Sequence, residues 1–268
     1  MTRLTEADVT ALTRDLEAFE ARLMEATGLD LRTLALRSTI EEDRCVQLRG
    51  SRIAAVPMSS GEGVIPGFTE CVVAILQHLG CEAWVTAQPD VRGMQAAVAA
   101  GAEIIFLADD QRFIALNLTK ASSVDDDPAT ADGYATALRA AAGDLEGRGV
   151  LVLGLGPVGR AAARRLTALG ASVFVSEPDE ERVSAAREVG IEFEPVDLAT
   201  GLARCDLIFD ASPAAGIIDA GDLKPGTIAA VPGLPSAFTA EAQDVLGVRH
   251  IHDPLAVGVA VMAARALV

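Results

Sequence analysis

Three glycines, Gly154, Gly156 and Gly159, follow the apolar run at residues 150–153. At that spacing the first permits a tight turn, the second lets backbone approach a pyrophosphate closely, and the third lets a helix pack on its strand. Pro157 and Val158 open that helix, whose N-terminal amides and dipole attract phosphate oxygens. Glu177 ends the next apolar run, residues 171–176, about 20 positions past the middle glycine. A carboxylate there accepts from both ribose hydroxyls and repels a 2′-phosphate, so the pattern predicts NAD rather than NADP. The competing reading, a glycine-rich turn without a ligand, leaves both the flanking strand and the acid without a purpose.

Other groups could meet the nicotinamide end. In open parallel sheets, ligands lie at the carboxyl ends of strands. Residues 210–213 and 231–235 follow two expected strands, so Ser212, Pro213, Pro232 and Gly233 are candidate cofactor contacts. Their prolines fix φ and remove donors, which suits a rigid wall, although ordinary proline loops look the same. Ser59 and Ser60 precede a helix, where hydroxyls and amides can hold a substrate carboxylate or simply cap. Asp109 and Asp110 end a third strand of the first half. Repulsion between adjacent acids can raise one pKa and leave it able to exchange protons; a cap for a following helix is the plainer reading. His250, His252 and Asp253 lack a placed third ligand, so no metal is expected. The acidic run at residues 125–127 reads as a solvated turn rather than a cation site.

These groups need two sheets to position them. The spacing predicts a helix over 5–26, with Val9, Leu12, Leu16, Phe19, Leu23 and Met24 on one stripe, capped by Thr5. A short helix over 30–38 follows. Strands over 52–57, 82–86 and 103–108 alternate with helices over 66–80 and 91–100, which implies a small parallel sheet. Residues 117–128 read as loop, and the alanine-rich stretch 129–142 as a helix linking the halves. Strands near 150–154, 171–176, 191–194, 206–210, 226–231 and 247–251, with a last apolar helix over 255–268, make a doubly wound Rossmann pattern. The expected architecture is therefore α/β: a smaller N-terminal substrate domain, 1–144, and a C-terminal dinucleotide-binding Rossmann domain, 145–268.

Composition narrows the partners. The 268 residues are 50% hydrophobic and 22% charged, with a formal net charge of −16 spread over both halves. Such a surface repels nucleic acid and anionic membranes. Neither a signal peptide nor a transmembrane run is expected. Cys45, Cys71, Cys81 and Cys205 are scattered without a C-x-x-C pair, which suits reduced thiols in a cytoplasmic protein. A homodimer is expected from the apolar faces of the first helix and of helix 129–142.

Taken together, residues 58–68, 88–93, 106–110, 152–159 and 231–235 resemble the pyrrolysine synthase (PylD) family, with further likeness at Leu4, residues 27–30 and residues 253–258. The resemblance implies NAD-dependent oxidation of L-lysine-Nε-3R-methyl-D-ornithine at the carbon bearing the terminal amine. Ammonia then leaves and the carbon condenses with the α-amine to close the pyrroline ring. It also implies that Ser60 contacts the substrate, Phe68 packs beside it, Asp109 is the acid at the reacting end, and Leu4 closes over it as a lid. Glu62 and Pro66 depart from the family's less acidic turn. From the residues themselves, another NAD-dependent amino-acid or folate-type dehydrogenase, or a regulatory NAD-binding module without turnover, stays open.

Overall fold

The computed structural model describes residues 6–39 and 47–268. Leu4, Thr5 and Cys45 lie outside the described residues. Helix α1 (Glu6–Thr27) buries Phe19 and Leu23. Met24 was expected on the same stripe, but it is exposed. It follows Leu23 by one position, about 100° further round the helix, and so turns off the buried face. Helix α2 (Leu31–Thr39) completes the N-terminal pair.

The first sheet has the strand order β2-β1-β3-β4-β5. Strands β1 (Arg52–Val56), β2 (Glu82–Val85) and β3 (Ile104–Ala108) are parallel, linked through α3 (Phe68–His78) and α4 (Asp90–Ala99). The sheet is not wholly parallel, however. Strand β4 (Phe113–Asn117) turns back antiparallel on β3, and β5 (Ser122–Asp125) antiparallel on β4. Residues 117–128 are thus a hairpin and a helix start rather than a loop. Strand β5 is short, polar and at the sheet's edge, so it lacks the apolar alternation that marks a half-buried strand. Helix α5 (Asp126–Ala142) begins three residues earlier than expected, with Pro128 in its first turn, where a missing amide costs no helical hydrogen bond.

The second sheet is parallel throughout, in the order β11-β10-β9-β6-β7-β8. Its strands are β6 (Gly149–Leu153), β7 (Ser172–Ser176), β8 (Glu194–Pro195), β9 (Leu207–Asp210), β10 (Ile228–Val231) and β11 (His250–His252). This is the doubly wound dinucleotide order, read outward from β6 in both directions. Helices α6 (Pro157–Ala168), α7 (Glu180–Glu188), α8 (Leu198–Arg204) and α9 (Ala240–Leu246) connect the strands. The outer strands are shorter than the sequence suggests: β8 keeps two residues, and Gly247–Arg249 forms a 3-10 turn before β11.

Helix α10 (Ala256–Ala266) leaves the second sheet and packs on α5, α2, α3 and the first sheet's β4 and β5. Val257, Val259, Val261 and Met262 are fully buried, each side chain contributing about 1.5–3 kcal/mol. The buried Asn117 amide donates to the Ala266 carbonyl at 2.7 Å, satisfying one of the helix's last carbonyls. Tyr134 of α5 is buried with its hydroxyl donating to the Asp253 carbonyl and accepting from the Asp253 amide at 2.9 Å. Helices α5 and α10 thereby tie the two sheets into one packed core.

Candidate active site

A cavity of about 420 Å³ opens where the carboxyl ends of strands from both sheets meet. The second sheet supplies the glycine loop. Gly154 has φ +86°, and a Cβ there would stand 2.9 Å from the Ala211 carbonyl. A Cβ on Gly159 would stand 2.0 Å from the Gly154 carbonyl, so α6 could not sit this close to the loop. Gly156 faces open space and lines the cavity with Pro157 and Val158, at the start of α6. This leaves room for a pyrophosphate over the helix N-terminus. The Glu177 side chain, only 4% exposed, accepts from the Leu155 amide at 2.7 Å and the Asp179 amide at 3.0 Å. The acid thus stands fixed against the glycine loop. Glu177 does not itself line the cavity. Arg182 of α7 does, 3.8 Å from the Glu177 carboxylate, a residue that sequence reasoning did not single out.

Ser212, Pro213, Pro232 and Gly233 all line the cavity. The fully buried Asp210 ties the Ser212 loop to the backbone at Ala237. Its Oδ1 accepts from the Ser212 amide at 3.1 Å and the Ser212 hydroxyl at 2.7 Å, and its Oδ2 from the Ala237 amide at 2.8 Å. Burial nevertheless pushes its carboxyl up from the ordinary range.

The first sheet contributes an apolar wall that includes Phe68, Phe106 and Phe113, with the Phe68 and Phe113 rings edge to face at 5.4 Å. Asp109 and Asp110 line the cavity and are exposed. Asp109 does not cap a helix. Its Oδ1 accepts from the Gln111 and Arg112 amides, each at 2.8 Å, and so holds the β3–β4 turn. Those amides keep its carboxyl below the usual range, opposite to the shift expected from an adjacent acid. Backbone donors, aided by the Arg112 charge, stabilise the anion more than burial opposes it. Asp110 Oδ2 accepts from the Glu62 amide at 2.6 Å and clasps the turn after β1. Ser59 and Ser60 sit in that turn, but neither lines the cavity. The Ser59 hydroxyl donates to Asp90 Oδ2 at 2.6 Å and its amide to Oδ1 at 2.8 Å, a clasp between the turn and α4.

Asp126 also lines the cavity, with Thr130 one turn on. Sequence reasoning placed it in a solvated turn, yet it is buried and its carboxyl is pushed up to about 7. His252 Nδ1 lies 2.7 Å from the Val231 carbonyl, and burial holds His250 down at about 4. Among the described residues no three His, Cys, Asp or Glu side chains gather as a metal site.

Residues 8–124 match the family model of the pyrrolysine biosynthesis protein PylD, N-terminal domain. Residues 114–220 match that of the D-isomer specific 2-hydroxyacid dehydrogenase, NAD binding domain. Quinate dehydrogenase from Corynebacterium glutamicum in complex with NAD superposes with a TM-score of 0.53 at 17% identity, over 82% of this chain and 94% of that one. Shikimate dehydrogenase from Aquifex aeolicus superposes at 0.54 and 12% identity, over 82% and 92%. Both share the fold. With the glycine loop, its fixed acid and the matching family model, the chain carries an NAD-binding domain, and the protein is an oxidoreductase. No helix among the described residues is long and apolar enough to cross a membrane. Pyrrolysine synthase from Methanosarcina barkeri is 33% identical over 98% of this chain and 97% of its own length. The pyrrolysine synthase of Methanosarcina acetivorans is 32% identical over 98% of each. The chain belongs to the pyrrolysine synthase family.

Proposed function

We propose that the protein oxidises L-lysine-Nε-3R-methyl-D-ornithine at the carbon bearing the terminal amine. Ammonia is released and the ring closes to give pyrrolysine. The observation that carries this reading is the shared cavity, which joins the dinucleotide loop of one sheet to the Asp109–Asp110 pair and phenylalanine wall of the other. When bound, NAD supplies the acceptor for a hydride from the substrate carbon.

The protein's own groups divide the remaining work. Gly154, Gly156, Pro157, Val158 and Gly159 hold the pyrophosphate and Glu177 the ribose. Ser212, Pro213, Pro232 and Gly233 wall the nicotinamide. Asp109, kept ionised by its turn amides, and Asp110 pair with the substrate's ammonium groups. Phe68 covers the methylated carbon chain. Residues 1–144 thus serve mainly the substrate and 145–268 the cofactor, in a cytoplasmic homodimer. Mass spectrometry of the product after mixing protein, NAD and this substrate tests the reading. A pyrrolysine mass with stoichiometric NADH is expected; an unchanged substrate, or NADH from a different amine alone, would overturn it.

A further inference from the structure

Among the described residues, four titratable side chains line the cavity: Asp109, Asp110, Asp126 and Arg182. They are not equivalent. Asp109 and Asp110 are exposed at the mouth, whereas Asp126 is 8% exposed. Its position follows from local sequence. Asp125 caps α5 by accepting from the Asp127 amide at 3.2 Å, so the helix begins at Asp126 and turns that carboxyl inward. Thr130, one turn later, donates its hydroxyl to Asp126 Oδ1 at 3.0 Å. Gly258 on α10 makes the space, since a Cβ there would stand 2.5 Å from Asp126 Oδ1 and 2.4 Å from the Thr130 hydroxyl. The cavity wall beside it is Leu255 and Pro254, at the entry to α10.

A carboxyl in such surroundings prefers its neutral form, because burial penalises the charge. Burial, with Asp127 and Asp125 on the same turn, pushes Asp126 up to about 7, against the opposing Thr130 hydrogen bond. Arg112 of the β3–β4 hairpin is paired with Asp125 at 2.5 Å, and it and Arg160 of α6 are among the cations acting on Asp127. The contact from α10 is the uncharged Gly258. A group that changes protonation near neutral pH, inside the cavity, has the property that a general base needs.

We propose that Asp126 is the proton acceptor of the reaction, removing one proton from the substrate's terminal ammonium. The N–H bond breaks, the O–H bond forms on the carboxylate, and the electron pair stays on nitrogen. The amine so formed can then support oxidation of its own carbon. The assignment rests on the functional reading above, and it separates two jobs among the acids. Asp109 stays charged and holds the substrate, while Asp126 takes its proton.

The test is Asp126→Asn in the full chain, assayed with NAD and the same substrate. Asparagine keeps the acceptor for Thr130, so kcat should fall about 100- to 1,000-fold while KM and NAD affinity hold. The wild-type rise of kcat with pH through about 7 should vanish in the variant. Carbon NMR of labelled aspartate in the free protein gives a readout that needs no turnover. One carboxyl should titrate near pH 7 and be absent from Asp126→Asn. An active wild type with an equally active Asp126→Asn, or titration of every aspartate near pH 4, would overturn this assignment alone. A wild type inert towards the substrate would overturn the functional reading, and the assignment with it.

Discussion

Replacing Asp126 by asparagine should stabilise the fold above neutral pH and leave it nearly unchanged at pH 4. The carboxyl titrates at about 7 in the folded chain against an ordinary 3.8. Below pH 3.8 it is protonated in both folded and unfolded chains and has no pH-dependent effect. As pH rises towards 7 the unfolded chain releases the proton and the folded one holds it, so stability falls. Above 7 the loss is complete. At about 1.4 kcal/mol per pH unit, the separation corresponds to a ceiling of about 4 kcal/mol. Asparagine never ionises, retains the Thr130 contact and matches the space left by Gly258. Water in the cavity relieves part of the wild-type penalty, so a gain of about 2–4 kcal/mol at pH 8 is expected. For a chain of this size that is roughly 4–16 °C in Tm. Circular-dichroism melts of both proteins at pH 4.5, 6, 7 and 8 measure it. Asp127, Asp210 and Asp253, also raised by burial, are present in both proteins. Parallel Tm-against-pH curves for the two proteins would refute the reasoning, because they would mean that Asp126 ionises as freely folded as unfolded.

Other substitutions probe the surrounding parts. Gly258→Ala forces a methyl onto Asp126 and Thr130 and should cost about 1–3 kcal/mol, read as a lower Tm. Asp109→Asn keeps the oxygen that accepts from Gln111 and Arg112, so the hairpin should hold. Turnover should nevertheless fall sharply, about 10-fold or more, through loss of a charge-assisted contact, with NAD affinity by calorimetry nearly unchanged. Glu177→Gln removes the charge proposed to hold the ribose but retains an acceptor for the Leu155 amide. Calorimetry should show NAD binding weakened about 10-fold and the preference over NADP reduced.

The dinucleotide half was legible because its signals are local. A strand, three spaced glycines and an acid lie within residues 150–177, and each residue type answers a constraint imposed by its near neighbours. The proline-bearing loops after β9 and β10 were placed by the same topological rule. Asp126 was not legible in that way. Its burial depends on Gly258, far along the chain, and on a helix that starts before a proline. Without those contacts, three successive acids look like a solvated turn. Asp109 shows the opposite case: its place at the strand mouth was readable, but its acidity is set by a hairpin whose second strand went unassigned. Ser59 is similar, since nothing in its own segment reveals that Asp90 has engaged its hydroxyl.

Helix α10 carries a practical consequence. It begins at the Leu255 wall of the cavity, passes Gly258 against Asp126, and ends with the Asn117 side chain on its Ala266 carbonyl. A gene cut at the 144/145 junction would leave the first sheet bald over the stretch this helix roofs and would hand the second product a greasy, unaccompanied tail. The two pieces should therefore come out of the cell insoluble when made apart, and complement one another when made together.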